Sequence, residues 1–232
     1  MDDQYALRTR PTAAHPLKGV TLLVVEDSRY ASDAIRMLCQ RSGARVRRAD
    51  SLDHARRHLR VYRPTIAIID MGLPDGDGEE LIRDLASAGP AIRGIVAISG
   101  DPFASDRAIK AGAHVFLEKP IDSLAAFQAE IIALLPPEMT ITGPRIVDTS
   151  EVVPDPLALA EDLRHAEAIL SVGAPQGAAY AADFLSGIAR TTGDHPLLEA
   201  AQALAGSAGE NAKENSRLRT IIRERLSDVP PI

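Results

Sequence analysis

The chain has 232 residues, 45% hydrophobic and 25% charged, with a formal net charge of −6 at pH 7. That length accommodates one large domain or two small ones with workable cores, and the acidic balance argues against a nucleic-acid-binding surface spread over the whole molecule. A single cysteine, Cys39, excludes an intrachain disulfide and fits a reduced, cytosolic setting; the first residues lack the apolar core of a signal peptide, and no apolar run reaches membrane-spanning length.

Residues 1–18 are polar and contain proline, and are expected to be a disordered lead-in. From Val20 a regular alternation begins. The run VTLLVV (20–25) reads as a strand, followed by a helix with Ala31, Ala34, Ile35 and Leu38 on one face and a stop at Gly43. ARVRRA (44–49) is a short, weak strand suited to a sheet edge. Ser51 caps a helix with a Leu52, Ala55, Leu59 stripe. TIAIID (65–70) is a second buried strand, GEELIRDLASAG (78–89) a helix ended by Gly89-Pro90, and GIVAIS (94–99) another apolar strand. Asp101 and Pro102 supply the N-cap and first turn of the next helix. HVFLEK (114–119) is the fifth strand, and a last helix places Leu124, Phe127, Ile131 and Leu134 on one face before Pro136-Pro137. Strand and helix thus alternate five times. Continuous apolar runs mark strands covered on both faces, so the pattern predicts an α/β fold: a doubly wound, five-stranded parallel sheet with helices on each side.

The character changes after residue 136. Residues 137–155 hold prolines and glycines without a sustained period and read as a linker between a domain at 19–136 and a module at 156–228. The module shows four amphipathic helices and no strand, which predicts a small all-α bundle. Its stripes are Leu159, Leu163, Ala166 and Leu170; Tyr180, Phe184 and Ile188; Leu197, Ala201 and Leu204; and Leu218, Ile221, Ile222 and Leu226.

In open α/β sheets, ligands bind beyond the carboxyl ends of the strands, where strand order reverses. Here those ends carry Glu26-Asp27, Asp70, Ser99 and Glu118-Lys119-Pro120. Two like charges about 5 Å apart repel by roughly 3 kcal/mol at an effective dielectric of about 20, and Lys119 offsets only part of that among three carboxylates. A divalent cation with hard oxygen ligands, Mg²⁺, would offset most of the rest. Asp70 is then a candidate nucleophile toward a phosphoryl group, with Lys119 neutralising charge and Ser99 donating a hydrogen bond. His54 and His58 share a helical face, but the arginines of DHARRHLR repel cations, so they read as a solvated face rather than metal ligands.

VVEDS, IIDMGLPDGDG, AISG and FLEKP, in this order over residues 18–135, resemble the receiver domain of two-component response regulators. The resemblance implies a phosphoacceptor signalling protein, rather than an enzyme, that receives its phosphoryl group from a sensor histidine kinase or histidine phosphotransfer protein. It implies that Asp70 is the phosphoacceptor, Asp27 a direct Mg²⁺ ligand, Glu26 the holder of a metal-bound water, and Gly72 the source of a coordinating backbone carbonyl. Ser99 and Phe116 match the switch pair, Lys119 the family ammonium, and Pro120 the proline that commonly follows a cis bond. Gly72 and Asp101 fall at positions that tune acyl-phosphate lifetime, and Phe116 lacks the hydroxyl of the tyrosine found in many members.

From residue 151 onward twelve acidic residues face seven Lys and Arg, a poor balance for DNA binding. The last helix carries Lys213, Arg217, Arg219, Arg223 and Arg225, but Glu214 and Glu224 intervene, which favours a solvated face over a phosphate-binding stripe. AAQALAGSAG resembles the helix of histidine phosphotransfer domains, with Gln202 where the histidine belongs; His165 is the alternative candidate. The expected role of the bundle is homodimerisation or partner binding. Transcriptional regulation through DNA, and relay through a phosphotransfer bundle, are the alternatives.

Overall fold

The computed structural model describes residues 10–89, 91–141, 143–147, 149, 152–207 and 209–228. Residues 1–9 of the expected lead-in, and Pro90 of the expected Gly89-Pro90 stop, lie outside the described residues. The chain divides into two compact units: one holds the residues up to 27 and 34–153, the other residues 28–33 and those from Pro154 onward.

The first unit contains five parallel strands: β1 (Thr21–Val25), β2 (Arg45–Ala49), β3 (Ile66–Asp70), β4 (Gly94–Ser99) and β5 (Val115–Glu118). Their order is β2-β1-β3-β4-β5, so winding reverses between β1 and β3. The helices between them are α1 (Arg29–Arg41), α2 (Leu52–Val61), α3 (Gly78–Ser87), α4 (Ser105–Ala111) and, after β5, α5 (Leu124–Ala133).

Alternate residues of each central strand enter opposite cores. Leu23, Val25, Ala67, Ile69, Ile95 and Ala97 pack with Leu52 and Ala55 of α2, Leu81 and Ile82 of α3, and Ala108 and Ala111 of α4. Leu22, Val24, Ile66, Ile68, Val96 and Ile98 pack with Ile35, Leu38 and Cys39 of α1 and Phe127 and Ile131 of α5. Apolar side chains on both faces are what a parallel strand needs when helices cover each side, and this is why the runs read as continuous rather than alternating. The weak strand β2 does lie at an edge, with Arg45 and Arg47 exposed. The thiol of Cys39 is fully buried, and burial pushes its pKa up.

Local signals set the helix starts. Ser51 caps α2 by accepting from the His54 N–H, and Asp75 adds bonds from the Leu52 and Asp53 N–H groups. Asp101 caps as expected, but the turn it starts (Pro102–Ala104) is a 3-10 helix, and α4 follows from Ser105. Helix α1 ends at Arg41, with Gly43 two residues on in a left-handed conformation.

Two expectations differ from the structure. The lead-in is not disordered up to residue 18: Leu17 is fully buried in the core, and its N–H bonds to the Ser42 carbonyl at 2.8 Å. The buried Leu17 and the turn bonds between Thr12 and His15 hold this stretch against the domain. The stretch read as a linker carries a 3-10 turn at Pro137–Met139, an Ile146 N–H bonded to the Ala13 carbonyl, and Val147 and Val152 packed on the same core.

In the second unit, helices α6 (Pro156–Val172), α7 (Pro175–Thr192), α8 (His195–Ala205) and α9 (Ala212–Ser227) bury Leu163, Leu170, Leu185, Leu197, Leu204, Leu218 and Ile222. On α7 the buried line is Ala178, Ala181, Ala182, Leu185, Ile188 and Ala189, so Ile188 of the expected stripe is buried while Tyr180 and Phe184 are only half-buried. Small side chains let neighbouring helices approach closely, which displaces the bulkier aromatic stripe from the centre of the seam.

Candidate functional site

The reversal of winding between β1 and β3 leaves a crevice at their carboxyl ends. Glu26 and Asp27 follow β1 there, and Asp70 is the last residue of β3. Each of these three offers a carboxylate oxygen within 4.8 Å of the others. Glu26 and Asp70 are buried, and Asp27 is half-buried. Lys119, one residue beyond β5, reaches between them: its Nζ lies 2.6 Å from Glu26 Oε2 and 3.0 Å from Asp70 Oδ2. A main-chain bond from the Lys119 N–H to the Ser99 carbonyl, 2.8 Å, anchors that approach, and the Lys119–Pro120 peptide bond is cis.

The electrostatics follow from burial. Desolvation pushes the Asp70 carboxyl up to about 7; Lys119 opposes the rise, Glu26 adds to it, and the Gly72 N–H bond to the carboxylate opposes it slightly. Burial by itself would lower the Lys119 ammonium, but Asp70 and Glu26 more than reverse this and hold it above its ordinary value. Three carboxylates against one ammonium leave a net negative cluster when all are ionised. Its donors are all hard oxygens, without thiol or imidazole, so the set fits Mg²⁺ rather than a softer metal.

Ser99 ends β4, one residue beyond the register partner of Asp70 (Ile98), and its Oγ accepts from the Asp101 N–H at 3.0 Å. Asp101 is exposed and accepts the Phe103 N–H. Phe116 pairs with Ala97 on β5, and packs half-buried against the core beside α2, α3 and α4. Gly72 is exposed and opens a two-residue ladder, Gly72–Leu73 against Gly76–Asp77, that turns the chain from β3 into α3. His54 and His58 stack at 4.8 Å between ring centroids on α2, and His54 Nδ1 lies 3.1 Å from Asp50 Oδ1. They take no part in the carboxylate cluster.

Two residues that the sequence does not single out as site residues also shape the site. Gly78 opens α3 directly against Asp70: a Cβ there would lie 2.0 Å from the Asp70 carbonyl oxygen. Arg48 of β2 donates from Nη2 to the carbonyls of Glu26 and Asp27, at 3.4 and 3.0 Å. In the sequence the glycine reads only as the start of the helix at 78–89, and the arginine as one of several on a weak edge strand.

In the helical unit, the arginines of α9 face carboxylates. Arg217 pairs with Glu199 and Glu214, Arg219 and Arg223 with Glu167, and Arg225 with Asp194. His165 is exposed on α6, its ring edge toward Phe184 at 6.1 Å.

The family model of the response regulator receiver domain matches residues 22–129. Residues 22–129 are a response regulator receiver domain. The KDP operon transcriptional regulatory protein KdpE of Escherichia coli K12 is 34% identical over 139 residues, which are 58% of this chain and 60% of that protein. The virulence transcriptional regulatory protein PhoP of Salmonella typhimurium is 32% identical over 100 residues, 43% of this chain and 45% of its own. The chain therefore spans less than two thirds of these relatives. Among solved structures, a putative response regulator from Chloroflexus aurantiacus is 25% identical and covers 50% of this chain and 96% of its own at a TM-score of 0.47. Receiver domains belong to signalling proteins, and this one sets its acidic cluster at the sheet's switch point. No helix among the described residues is long and apolar enough to cross a membrane.

Proposed function

We propose that the chain is a response regulator of a two-component phosphorelay in which Asp70 accepts a phosphoryl group from a sensor histidine kinase or histidine phosphotransfer protein. The observation that carries this reading is the convergence of Glu26, Asp27 and Asp70 within 4.8 Å, with Lys119 3.0 Å from the Asp70 carboxylate. Asp70 Oδ attacks phosphorus, the bond from phosphorus to the donor breaks, and the donor leaves with the electron pair. Lys119 turns its ammonium from the carboxylate to the incoming phosphoryl oxygens, and Ser99 Oγ donates to another. Glu26, Asp27, Asp70 and the Gly72 carbonyl would hold Mg²⁺, which supplies neutralisation of charge on the transferring group. Gly72 and Asp101 set how readily water reaches the acyl phosphate. Ser99 and Phe116 relay the change toward the face of α4, β5 and α5, as a population shift between two conformers.

The helical unit is the output: it forms a homodimer or binds a protein partner, in the cytoplasm, and phosphorylation biases that association. A second reading, transcriptional regulation, is favoured by the names of KdpE and PhoP. The pairing of Arg217, Arg219, Arg223 and Arg225 with carboxylates weighs against a phosphate-binding stripe on α9. Sedimentation velocity with and without acetyl phosphate and Mg²⁺ tests the first reading, with a phosphorylation-dependent change in mass as the expected result. Salt-sensitive retention on DNA with no change in mass would favour the second, and transfer of label to His165 would favour a relay.

A further inference from the structure

The loop bearing Glu26 and Asp27 is held from β2 in two ways. The Glu26 N–H donates to the Ala49 carbonyl at 2.9 Å, continuing the sheet by one bond beyond β1. The Glu26 and Asp27 carbonyls both accept from Arg48 Nη2, the Asp27 bond being the shorter at 3.0 Å. Main chain and side chain of adjacent β2 residues thus fix the peptide groups on either side of Glu26. The Arg48 Nε is buried and donates no hydrogen bond among the described residues. Ordering an arginine costs rotamer freedom, and a buried donor without a partner is itself unfavourable. An edge strand offers its side chains open solvent as an alternative, so this placement needs a compensating gain. The charge-assisted bonds to two carbonyls provide it.

We infer that Arg48 is a positioning residue for the divalent-cation site: it locks the backbone at 26–27 so that the two carboxylates arrive facing Asp70, and thereby sets the affinity for Mg²⁺. This rests on the proposed function and deepens it. Two effects of the guanidinium have opposite signs. As a positive charge near the cluster it disfavours a cation, whereas as a two-carbonyl clasp it favours the cation by pre-ordering its ligands. The structure favours the clasp, because the bonds go to backbone carbonyls and fix geometry rather than neutralise carboxylates.

The test is calorimetric titration of the full chain with MgCl₂, comparing wild type, Arg48→Lys, Arg48→Met and Asp27→Asn, with a thermal melt of each. Lysine keeps the charge but lacks the rigid, planar guanidinium that carries Nη2 to both carbonyls. The expected result is weaker Mg²⁺ binding in both Arg48 variants, by about tenfold for methionine and severalfold for lysine, in protein that still melts cooperatively. Wild-type affinity in Arg48→Lys together with tighter binding in Arg48→Met would show that only the charge matters and would overturn the inference. So would lowered melting temperatures with unchanged affinity. If wild type itself binds no Mg²⁺, or Asp27→Asn binds as wild type does, the proposed cation site falls, and the inference with it.

Discussion

The ammonium of Lys119 lies 3.0 Å from the carboxylate of Asp70, although 49 positions separate them in the chain. The same ammonium is 2.6 Å from Glu26, so one cation is shared between two buried carboxylates from different strands. That sharing places a positive charge at the end of β3, where the proposed phosphoryl transfer would take place. Lys119→Met is therefore expected to slow phosphoryl uptake from acetyl phosphate by about 100-fold, as loss of a transition-state donor does, while Mg²⁺ binding survives. Time-resolved intact mass measures the uptake; an unchanged rate would remove Lys119 from the chemistry.

Asp70 also makes stability depend on pH. Burial raises its folded-state pKa to about 7, above its ordinary value of 3.8. Between those values the folded protein holds a proton that the unfolded chain has released, so stability falls as pH rises through the window, by up to about 1.4 kcal/mol per pH unit. Asp70→Asn removes this dependence. In metal-free urea titrations the variant is expected to be more stable than wild type at pH 8 and to lose most of that advantage at pH 5. An equal difference at both pH values would contradict the assignment.

Gly78 is predicted to be irreplaceable. A methyl group there would sit 2.0 Å from the Asp70 carbonyl oxygen and 2.9 Å from its carbon, and these are backbone atoms that cannot swing away. Gly78→Ala is expected to cost about 2 kcal/mol or more through overpacking and to slow phosphoryl uptake by shifting Asp70. Urea titration and the same mass assay check both effects.

In the helical unit Asp194 caps α8 by accepting the Leu197 N–H at 3.1 Å, and it also accepts from Arg225 Nε at 2.6 Å. The Arg225 bond, and more weakly the Leu197 N–H, hold its pKa below the ordinary value against the effect of burial. Its contribution is thus present above the unfolded pKa and lost as pH falls through the lower folded one. Asp194→Ala is expected to destabilise the unit by about 1–2 kcal/mol at pH 7. The difference from wild type should shrink in acid, which circular dichroism melts at both pH values would reveal.

How much of this was legible in the sequence depends on the range of the interaction. The apolar runs at β1, β3 and β4 announce burial on both faces, and Ser51 and Asp101 announce their caps, because each signal lies within a few residues. The strand-end positions of Glu26, Asp27, Asp70 and Lys119 are likewise readable, and the fold brings those four together. What could not be read depends on distant partners. Leu17 looks like part of a polar lead-in until the core that receives it is known. Asp75 caps a helix that begins 23 residues earlier. Arg48 and Gly78 meet the site only through backbone atoms of Glu26, Asp27 and Asp70. On α7 the aromatics attracted the helical stripe, but close packing selected the alanines beside them.

Intact mass spectrometry of the full chain after incubation with acetyl phosphate and Mg²⁺ decides whether Asp70 is the phosphoacceptor. One added phosphoryl group, about 80 Da, is expected on wild type, dependent on Mg²⁺ and absent from Asp70→Asn. The same addition on Asp70→Asn, or none on wild type with Mg²⁺ present, would contradict that assignment.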